Sequence, residues 1–439
     1  MADDGQQKKS DFRYATGDAT VPWAAIGEHI WHEDLMGLVK LLVKPHGDQA
    51  EFDSAMTQFE DALSALCACG RPTAKLSLGD TVKQLEEEVA NFLGSKYACF
   101  VTNATAGFQI GHQFADLGPG DEVILPAITF IATGVYPPNV GAKCVFADVD
   151  PRTVNMDPED VARKVTDRTK VIMPVHIGGY PVDMDPIMEI AEENEIVVIE
   201  DAAHAFGGKY KGKMIGTIGH FGSFSFHEVK NITAFGEGGI VCTDTEFGQY
   251  FNQARFCGVD MSEQIENWLY DVKALPTVTG DPQVPGNHSS TEIQAACLLG
   301  QMDRLEEIIR VRRERAEYLS ERFEGVAGLV PAPLNTDEIE STFHLYLLQV
   351  EPEVLGADIR EFKQRLTEKG VTNIPHFAPL YHFTIFDQLG YDTDAIAESC
   401  PNAEDLFWHR FTHLPLYPLT DEQVETMADL VIETAEEMA

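Results

Sequence analysis

Positive charge is scarce in this chain. Its 439 residues include 32 lysines and arginines against 71 aspartates and glutamates, which gives a formal net charge of −39. This excess repels nucleic-acid phosphates and anionic membranes, so we expect neither to be a partner. An anionic ligand must therefore be held by a local group of donors and cations.

Long hydrophobic runs are also lacking. The beginning, "MADDGQQKKSDFRYATGD", has no apolar signal segment, and no later stretch has the roughly 18 consecutive apolar residues of a membrane span. We therefore expect a cytoplasmic protein. Only Cys67 and Cys69 lie close together among eight cysteines, without a second pair or histidines at zinc spacing. This pattern predicts reduced thiols and no metal site.

The apolar pattern predicts an α/β protein of more than one domain. Residues 28–43 and 55–70 have helical apolar spacing, whereas from about Tyr97 short apolar strands such as "AKCVFADVD", "KVIMPVH" and "EIVVIED" alternate with helical segments. This alternation predicts a large domain with a mostly parallel sheet covered by helices. We expect a partly helical N-terminal extension (1–70), the large domain (71–290), and then a long linking helix and a smaller C-terminal α+β domain (291–439).

Two ionisable residues are placed where their charges are costly. Asp201 ends the apolar strand "EIVVIED", and a carboxylate at this position can hold a protonated ring nitrogen. Lys230 follows the strand "GSFSF", and a lysine in apolar surroundings has a lowered pKa and can attack a carbonyl to form a Schiff base.

Three further groups complete a candidate site. "TNATAGF" (102–108) is a strand-to-helix turn whose N–H groups and Thr105 hydroxyl can cradle a phosphate, to which Ser225 can add a second hydroxyl. Phe130, at the next strand end, can stack on an aromatic ring. A pyridoxal phosphate (PLP) site needs four features: a partner for the ring nitrogen, a lysine that binds the aldehyde, a turn that holds the phosphate and an aromatic ring that stacks on the cofactor. The candidate residues supply all four.

Each of these residues also has a simpler interpretation. Lys230 alone reads as a surface lysine, Asp201 as a helix cap, Phe130 as core, and Thr105 and Ser225 as caps or strand hydroxyls. "FGEGG" (235–239) is not a nucleotide loop, and we expect its glycines to let the chain pass close to the cofactor. Four histidines are either structural or part of the site: His176, His204, His376 and His382.

Four sequence blocks and their order along the chain carry a resemblance to a known family. They are "GDEVILPAITFIAT", "IEDAAHAFGGKYKGKMIGTIGHFGSFSFHEVKNITAFGEGG", "GNHSSTEIQAACLLGQMDRL" and "LPLYPLT". From about Lys75 to its end the sequence resembles the DegT/DnrJ/EryC1/StrS family of sugar aminotransferases, which are fold-type-I, aspartate aminotransferase-like PLP enzymes. The resemblance implies Lys230 as the Schiff-base lysine and Asp201 as the partner of the pyridine nitrogen. It also implies phosphate contacts from Ala104, Thr105 and Ser225, stacking by Phe130, a contact of His204 with the cofactor's phenolic oxygen, and a contact of Asn287 with the phosphate of the other subunit of a homodimer.

The sequence departs from the family pattern in a few places. Ala104 stands where many members have glycine, His204 where many have glutamine, and His288 where arginine is frequent. The first ~70 residues have no counterpart that we can place. These differences leave the acceptor open among keto-sugars, nucleotide-linked or free, and cyclitol ketones.

The resemblance implies an aminotransferase of amino-sugar or natural-product biosynthesis. The donor is expected to be glutamate or glutamine, and pyridoxamine phosphate (PMP) carries the amino group between the half-reactions. Two alternatives stay open. One is a PMP-dependent deoxysugar dehydratase, although such relatives carry histidine where Lys230 stands. The other is a non-enzymatic regulator that retains the fold.

Overall fold

The computed structural model describes residues 30–70, 76–266, 269–372 and 377–439. Its α-helices are α1 (His32–Leu42), α2 (Gln49–Cys69), α3 (Asp80–Leu93), α4 (Ala104–Phe114), α5 (Tyr136–Asn139), α6 (Pro158–Lys164), α7 (Met184–Glu193), α8 (Phe251–Arg255), α9 (Glu292–Met302), α10 (Leu305–Phe323), α11 (Pro352–Leu355), α12 (Ile359–Glu368), α13 (Thr384–Gln388), α14 (Thr393–Glu398), α15 (Pro401–Asp405) and α16 (Asp421–Met438).

The strands follow the same chain order. They are β1 (Tyr97–Val101), β2 (Glu122–Pro126), β3 (Lys143–Ala147), β4 (Thr169–Ile172), β5 (Val197–Asp201), β6 (Lys209–Tyr210), β7 (Lys213–Met214), β8 (Phe221–Ser225), β9 (Gly239–Thr243), β10 (Val259–Glu266), β11 (Leu269–Val272), β12 (Leu329–Val330), β13 (Ile339–Glu340), β14 (Tyr346–Val350) and β15 (Phe411–Leu414).

A seven-stranded sheet in the order β1-β9-β8-β5-β4-β2-β3 carries the large central part of the chain. The pairings from β8 to β3 are parallel, and β9 is antiparallel to both β8 and β1. The expectation of a mostly parallel sheet covered by helices is therefore confirmed. The carboxyl ends of β5 and β8 lie side by side, with Asp201 opposite Ser223.

Both faces of this sheet are apolar. Along β5, Val197 and Ile199 belong to one buried cluster, whereas Val198 between them belongs to a second cluster on the opposite face. Side chains alternate between the faces of a strand, so a continuous apolar run can only be buried between two helical layers. This is why the strand sequences read as unbroken apolar runs.

The C-terminal part has a separate core. The three-stranded sheet β12-β14-β15 is antiparallel and packs with α10, α12 and α16 around buried residues such as Phe323, Tyr346 and Phe362. The long linking helix expected at the start of the region 291–439 is divided into α9 and α10 at Asp303 and Arg304. Arg304 has φ −110° and ψ 0°, outside regular helical geometry, and the two helices have different partners, α3 for α9 and α16 for α10.

The chain divides into two compact units. One consists of Asp80–Val259 and Val272–Ala439, and the other of Met1–Gly79 and Asp260–Asp271. In the described part of the second unit, α1 packs on α2, and α2 begins at Gln49 because the Asp48 side chain accepts from the N–H groups of Ala50 and Glu51. Within the described ranges, we find no helix with the length and apolarity of a membrane span.

Candidate active site

A cavity of about 910 Å³ opens at the carboxyl ends of β5 and β8, beside the first turn of α4. This is the edge of a parallel sheet at which ligands are bound. It brings together most of the residues singled out in the sequence: Ala104, Thr105, Phe130, Asp201, His204, Ser225 and Lys230. Asn287 is not among the residues that line it.

Asp201 is a buried carboxylate at the end of β5, only 5% exposed. Its Oδ2 accepts a hydrogen bond from Thr133 Oγ1 at 2.8 Å, and its Oδ1 accepts from Ala203 N at 3.1 Å. Burial raises the pKa of Asp201, although these two bonds oppose the shift. The two hydrogen bonds therefore do not fully compensate for the burial of the negative charge, and a cationic partner in the cavity would stabilise it.

Lys230 lies in the loop between β8 and β9, and buried side chains hold this loop. Phe226, Ile232 and Ala234 are almost completely buried, and the Phe226 N–H donates to Gly238 O at 2.8 Å, which prolongs the β8–β9 ladder. Burial lowers the pKa of Lys230 to about 8, although the charge of Asp201 opposes this shift. The amine is therefore much more often neutral near physiological pH than a surface lysine is.

The first turn of α4 forms another wall. The Asn103 side chain accepts from Ala106 N at 3.1 Å, and the first N–H groups of a helix have no acceptor within the helix itself. Gly239 at the start of β9 faces this turn, and a Cβ at Gly239 would lie 2.3 Å from Asn103 C and 2.6 Å from Ala104 N. The glycine in "FGEGG" thus permits a close approach to the backbone of the turn.

Two rings line the cavity near the carboxylate and the lysine. His204 is 8% exposed and stacks on His344 with ring centroids 4.5 Å apart. The Gly178 N–H donates to His204 Nδ1 at 3.3 Å, which leaves the neutral imidazole with its proton on Nε2. Phe130 is 55% exposed although it lines a cavity, so a face of its ring is accessible to a ligand.

Asn287 lies outside the cavity of its own chain. Its side chain is exposed, and its Oδ1 accepts from Ser289 N at 3.2 Å. The neighbouring His288 is half-buried, burial lowers its pKa, and within the described ranges its Nε2 has no hydrogen-bond partner.

Two of the four histidines that the sequence left open between a structural role and the site have carboxylate partners. His176 is completely buried, where it contacts Glu200 Oε2 at 3.2 Å and accepts from Val182 N. His382 contacts Glu404 Oε1 at 2.7 Å. Neither lines the cavity. His376 lies outside the described residues.

Several polar residues that the sequence did not single out line this cavity or hold a residue that does. Thr133 holds Asp201, and Asn231 Oδ1 accepts from His344 Nδ1 at 3.0 Å. Arg304 and Arg312 line the cavity from the α10 side, with Ile308 between them. Spacing at i, i+4 and i+8 places these three residues on one face of a helix, which is the sequence signal that could have identified them.

Known proteins are similar to this chain over most of its length. A family model described as the DegT/DnrJ/EryC1/StrS aminotransferase family matches residues 61–432. The spore coat polysaccharide biosynthesis protein SpsC of Bacillus subtilis is 35% identical over 368 residues, which cover 81% of this chain and 90% of SpsC. The 3-amino-5-hydroxybenzoate synthase of Amycolatopsis mediterranei is 34% identical over 362 residues, which cover 80% of this chain and 90% of that protein.

A solved structure of a sugar aminotransferase has a similar fold. Spr1654 of Streptococcus pneumoniae, assigned as a sugar aminotransferase and solved in PMP, PLP and apo forms, superposes in its PMP form with a TM-score of 0.73 at 29% identity. The match covers 84% of this chain and 94% of that one. The motif resemblance and the fold class are thereby confirmed, and the chain belongs to the DegT/DnrJ/EryC1/StrS aminotransferase family.

Proposed function

We propose that this aminotransferase uses PLP to move an amino group from glutamate or glutamine to the ketone of a sugar, nucleotide-linked or free, or of a cyclitol. One observation carries the proposal. A lysine with a pKa lowered to about 8 lines the same cavity as a buried carboxylate at the neighbouring strand end. A nucleophilic amine beside a negative charge is what an aldehyde cofactor with a basic ring requires.

The donor set fits this cofactor. The buried Asp201 carboxylate suits a protonated ring nitrogen, and the α4 N-terminus with Thr105 and Ser225 suits a phosphate. The accessible Phe130 ring suits stacking, and the Nε2 proton of His204 can be donated to a phenolic oxygen.

Each of these residues would have a separate role in the reaction. When bound, PLP supplies an aldehyde that takes up an amino group and a ring that withdraws electrons from the donor's α carbon. Asp201 keeps a negative charge toward the ring, and Thr133 orients its carboxylate. Lys230 Nζ would accept the proton that leaves the donor's α carbon and deliver it to the carbon of the former aldehyde group. In the second half-reaction it would move a proton in the opposite direction, to the carbon of the acceptor's ketone.

The pKa of Lys230 predicts how uptake of the cofactor depends on pH. Only the neutral amine attacks an aldehyde, so we expect the rate of covalent PLP uptake by cofactor-free protein to rise through pH of about 8 and then level off. Stopped-flow absorbance measures this rate. Asp201→Asn should move the midpoint to lower pH, because the charge of Asp201 opposes the lowered pKa. A midpoint that stays at the value of an ordinary surface lysine, about 10.4, would contradict the assignment.

We further propose a homodimer with shared active sites, in which Asn287 reaches the cofactor phosphate of the other subunit. The exposed position of Asn287, outside the cavity of its own chain, supports this proposal. Asn287→Ala should weaken PLP retention about tenfold, as expected for one lost hydrogen bond to a charged group. Equilibrium dialysis measures it, with the exposed Asn194→Ala as the control. A fully active monomer in sedimentation analysis would contradict the proposal.

The function itself is tested in two stages. Glutamate or glutamine should convert the absorbance of PLP-loaded protein to that of the PMP form, and keto-sugars and inososes should then restore it. Failure with every amino acid would refute the transfer. Loss of a sugar hydroxyl in the presence of a reductant, without transamination, would favour the dehydratase. A protein that does not bind PLP would favour the regulator. Turnover of 2-oxo acids alone would refute the acceptor class.

A further inference from the structure

Arg312 is a buried cation without an anion. It is 3% exposed, it lines the cavity, and no carboxylate of the described residues lies within ion-pair distance of it. Its Nη1 donates to the carbonyl oxygens of Phe343 at 3.3 Å and His344 at 3.0 Å. Its Nε is buried and has no acceptor among the described residues. The guanidinium lies over the Tyr417 ring, 5.2 Å from the centroid.

A second buried arginine has the anion that Arg312 lacks. Arg255 is 5% exposed and forms an ion pair with Glu86, although its Nε also has no acceptor among the described residues. Removing a charge from water without a partner is costly, and burial accordingly lowers the pKa of Arg312 to about 10. Arg312 therefore stays protonated at neutral pH, in a setting that favours an anionic ligand from the cavity.

A chain of contacts connects Arg312 to the reactive lysine. Arg312 donates to the His344 carbonyl, and the His344 ring donates to Asn231 Oδ1 at 3.0 Å. Asn231 follows Lys230 directly and also lines the cavity. Its Nδ2 is buried and has no acceptor among the described residues. Two donors without acceptors, Arg312 Nε and Asn231 Nδ2, thus belong to side chains that are both bonded to His344.

We propose that Arg312 and Asn231 bind the α-carboxylate of the amino donor. The inference rests on the proposed function and names the residues that recognise its first substrate. A carboxylate supplies two oxygens for the two donors, and in an α-amino acid it is attached to the reacting carbon. Keto-sugars and cyclitols carry only uncharged hydroxyls next to their ketone, and a nucleotide diphosphate lies farther from it.

Arg312→Gln and Arg312→Lys test the assignment, with Arg313→Gln as a matched control. Arg313 is adjacent in α10, loses the same charge and likewise donates to a carbonyl, that of Ser341 at 2.9 Å, but it does not line the cavity. 2-Oxoglutarate takes up the amino group from the PMP form in the reverse of the glutamate half-reaction. Its binding to each protein is therefore measured as the apparent dissociation constant from the concentration dependence of this single turnover, followed by absorbance, and absorbance titration measures the PLP affinity. Urea unfolding compares their stability.

We expect Arg312→Gln to weaken 2-oxoglutarate binding about 30- to 100-fold, as for loss of charge-assisted hydrogen bonds. Arg312→Lys should fall between this variant and the wild type, because lysine keeps the charge without the planar fork. Asn231→Ala should weaken binding about tenfold. PLP affinity should change less than about threefold in the Arg312 variants, and Arg313→Gln should match the wild type.

The outcomes separate the inference from the proposed function. Unchanged 2-oxoglutarate binding in the Arg312 variants, or an equal loss with Arg313→Gln, would overturn the inference. A large loss of PLP affinity would instead assign Arg312 to the cofactor phosphate and overturn it as well. If Arg312→Gln does not fold, Arg312→Lys decides. A wild-type protein that exchanges no amino group with any amino acid would refute the proposed function itself.

Discussion

Lys230→Ala is expected to lower the rate of overall transamination by about 10⁴-fold or more, because it removes both the covalent link to the cofactor and the proton carrier. The protein should keep its fold. The loop is held by Phe226, Ile232 and Ala234 rather than by the lysine, and burial disfavours the charged form of Lys230. Single-turnover kinetics with glutamate measures the effect, and absorbance shows whether PLP is still bound non-covalently.

A matched control and a rescue sharpen this experiment. Lys209→Ala removes a lysine whose Nζ lies 3.1 Å from Glu340 Oε1, outside the cavity, and should leave the rate unchanged. Added methylamine or ethylamine should restore part of the activity of Lys230→Ala, since a small amine can occupy the vacated space and carry the proton. A Lys230→Ala protein within tenfold of the wild-type rate would show that the lysine has no catalytic role.

Asp201→Asn is expected to lower the rate of the glutamate half-reaction about 10²- to 10³-fold, the effect typical of removing one preorganised electrostatic group. The amide keeps the shape of the carboxylate but has no charge to offer a protonated ring nitrogen. Its hydrogen bonds can be satisfied. The amide nitrogen can donate to Thr133 Oγ1, whose hydroxyl can turn to Thr129 Oγ1 at 3.0 Å.

Asp201→Asn lowers the rate but should not lower the stability of the cofactor-free protein. Burial raises the pKa of Asp201, so the neutral amide should leave the free energy of unfolding unchanged or higher. Asp148→Asn is the control, because Asp148 is a second buried carboxylate that accepts backbone hydrogen bonds from Asn402 and Ala403 outside the cavity. An Asp201→Asn protein that reacts with glutamate within about tenfold of the wild-type rate would contradict the electrostatic role.

Local patterns were sufficient for the sheet and for the residues at its edge. Short apolar runs such as "EIVVIED" predicted buried parallel strands, and Asp201 and Ser225 lie at strand ends as expected. In a parallel sheet those ends meet at one edge, so positions along the chain translate directly into proximity. Lys230 could be placed for the same reason, because it follows β8 closely.

The residues from the C-terminal half could not be found in this way. Arg312 lies in a helix rich in charges, a pattern that usually indicates a solvent-exposed face, and its burial depends on how α10 packs beside residues 343 and 344. His344 lies two residues before β14, a strand of another sheet, and only the tertiary fold stacks it on His204. His176 and His382, which the sequence left open between a structural role and the pocket, each have a carboxylate partner more than 20 positions away in the sequence.

The covalent attachment of the cofactor to Lys230 is the central claim, and borohydride reduction tests it most directly. Purified protein loaded with PLP is reduced, digested and analysed by mass spectrometry, so that the bond between the cofactor and a lysine amine becomes permanent and can be located. We expect one stoichiometric phosphopyridoxyl group on the peptide that contains Lys230, and none on that peptide in Lys230→Ala. A stoichiometric label on another lysine, with Lys230 unmodified, would contradict the account.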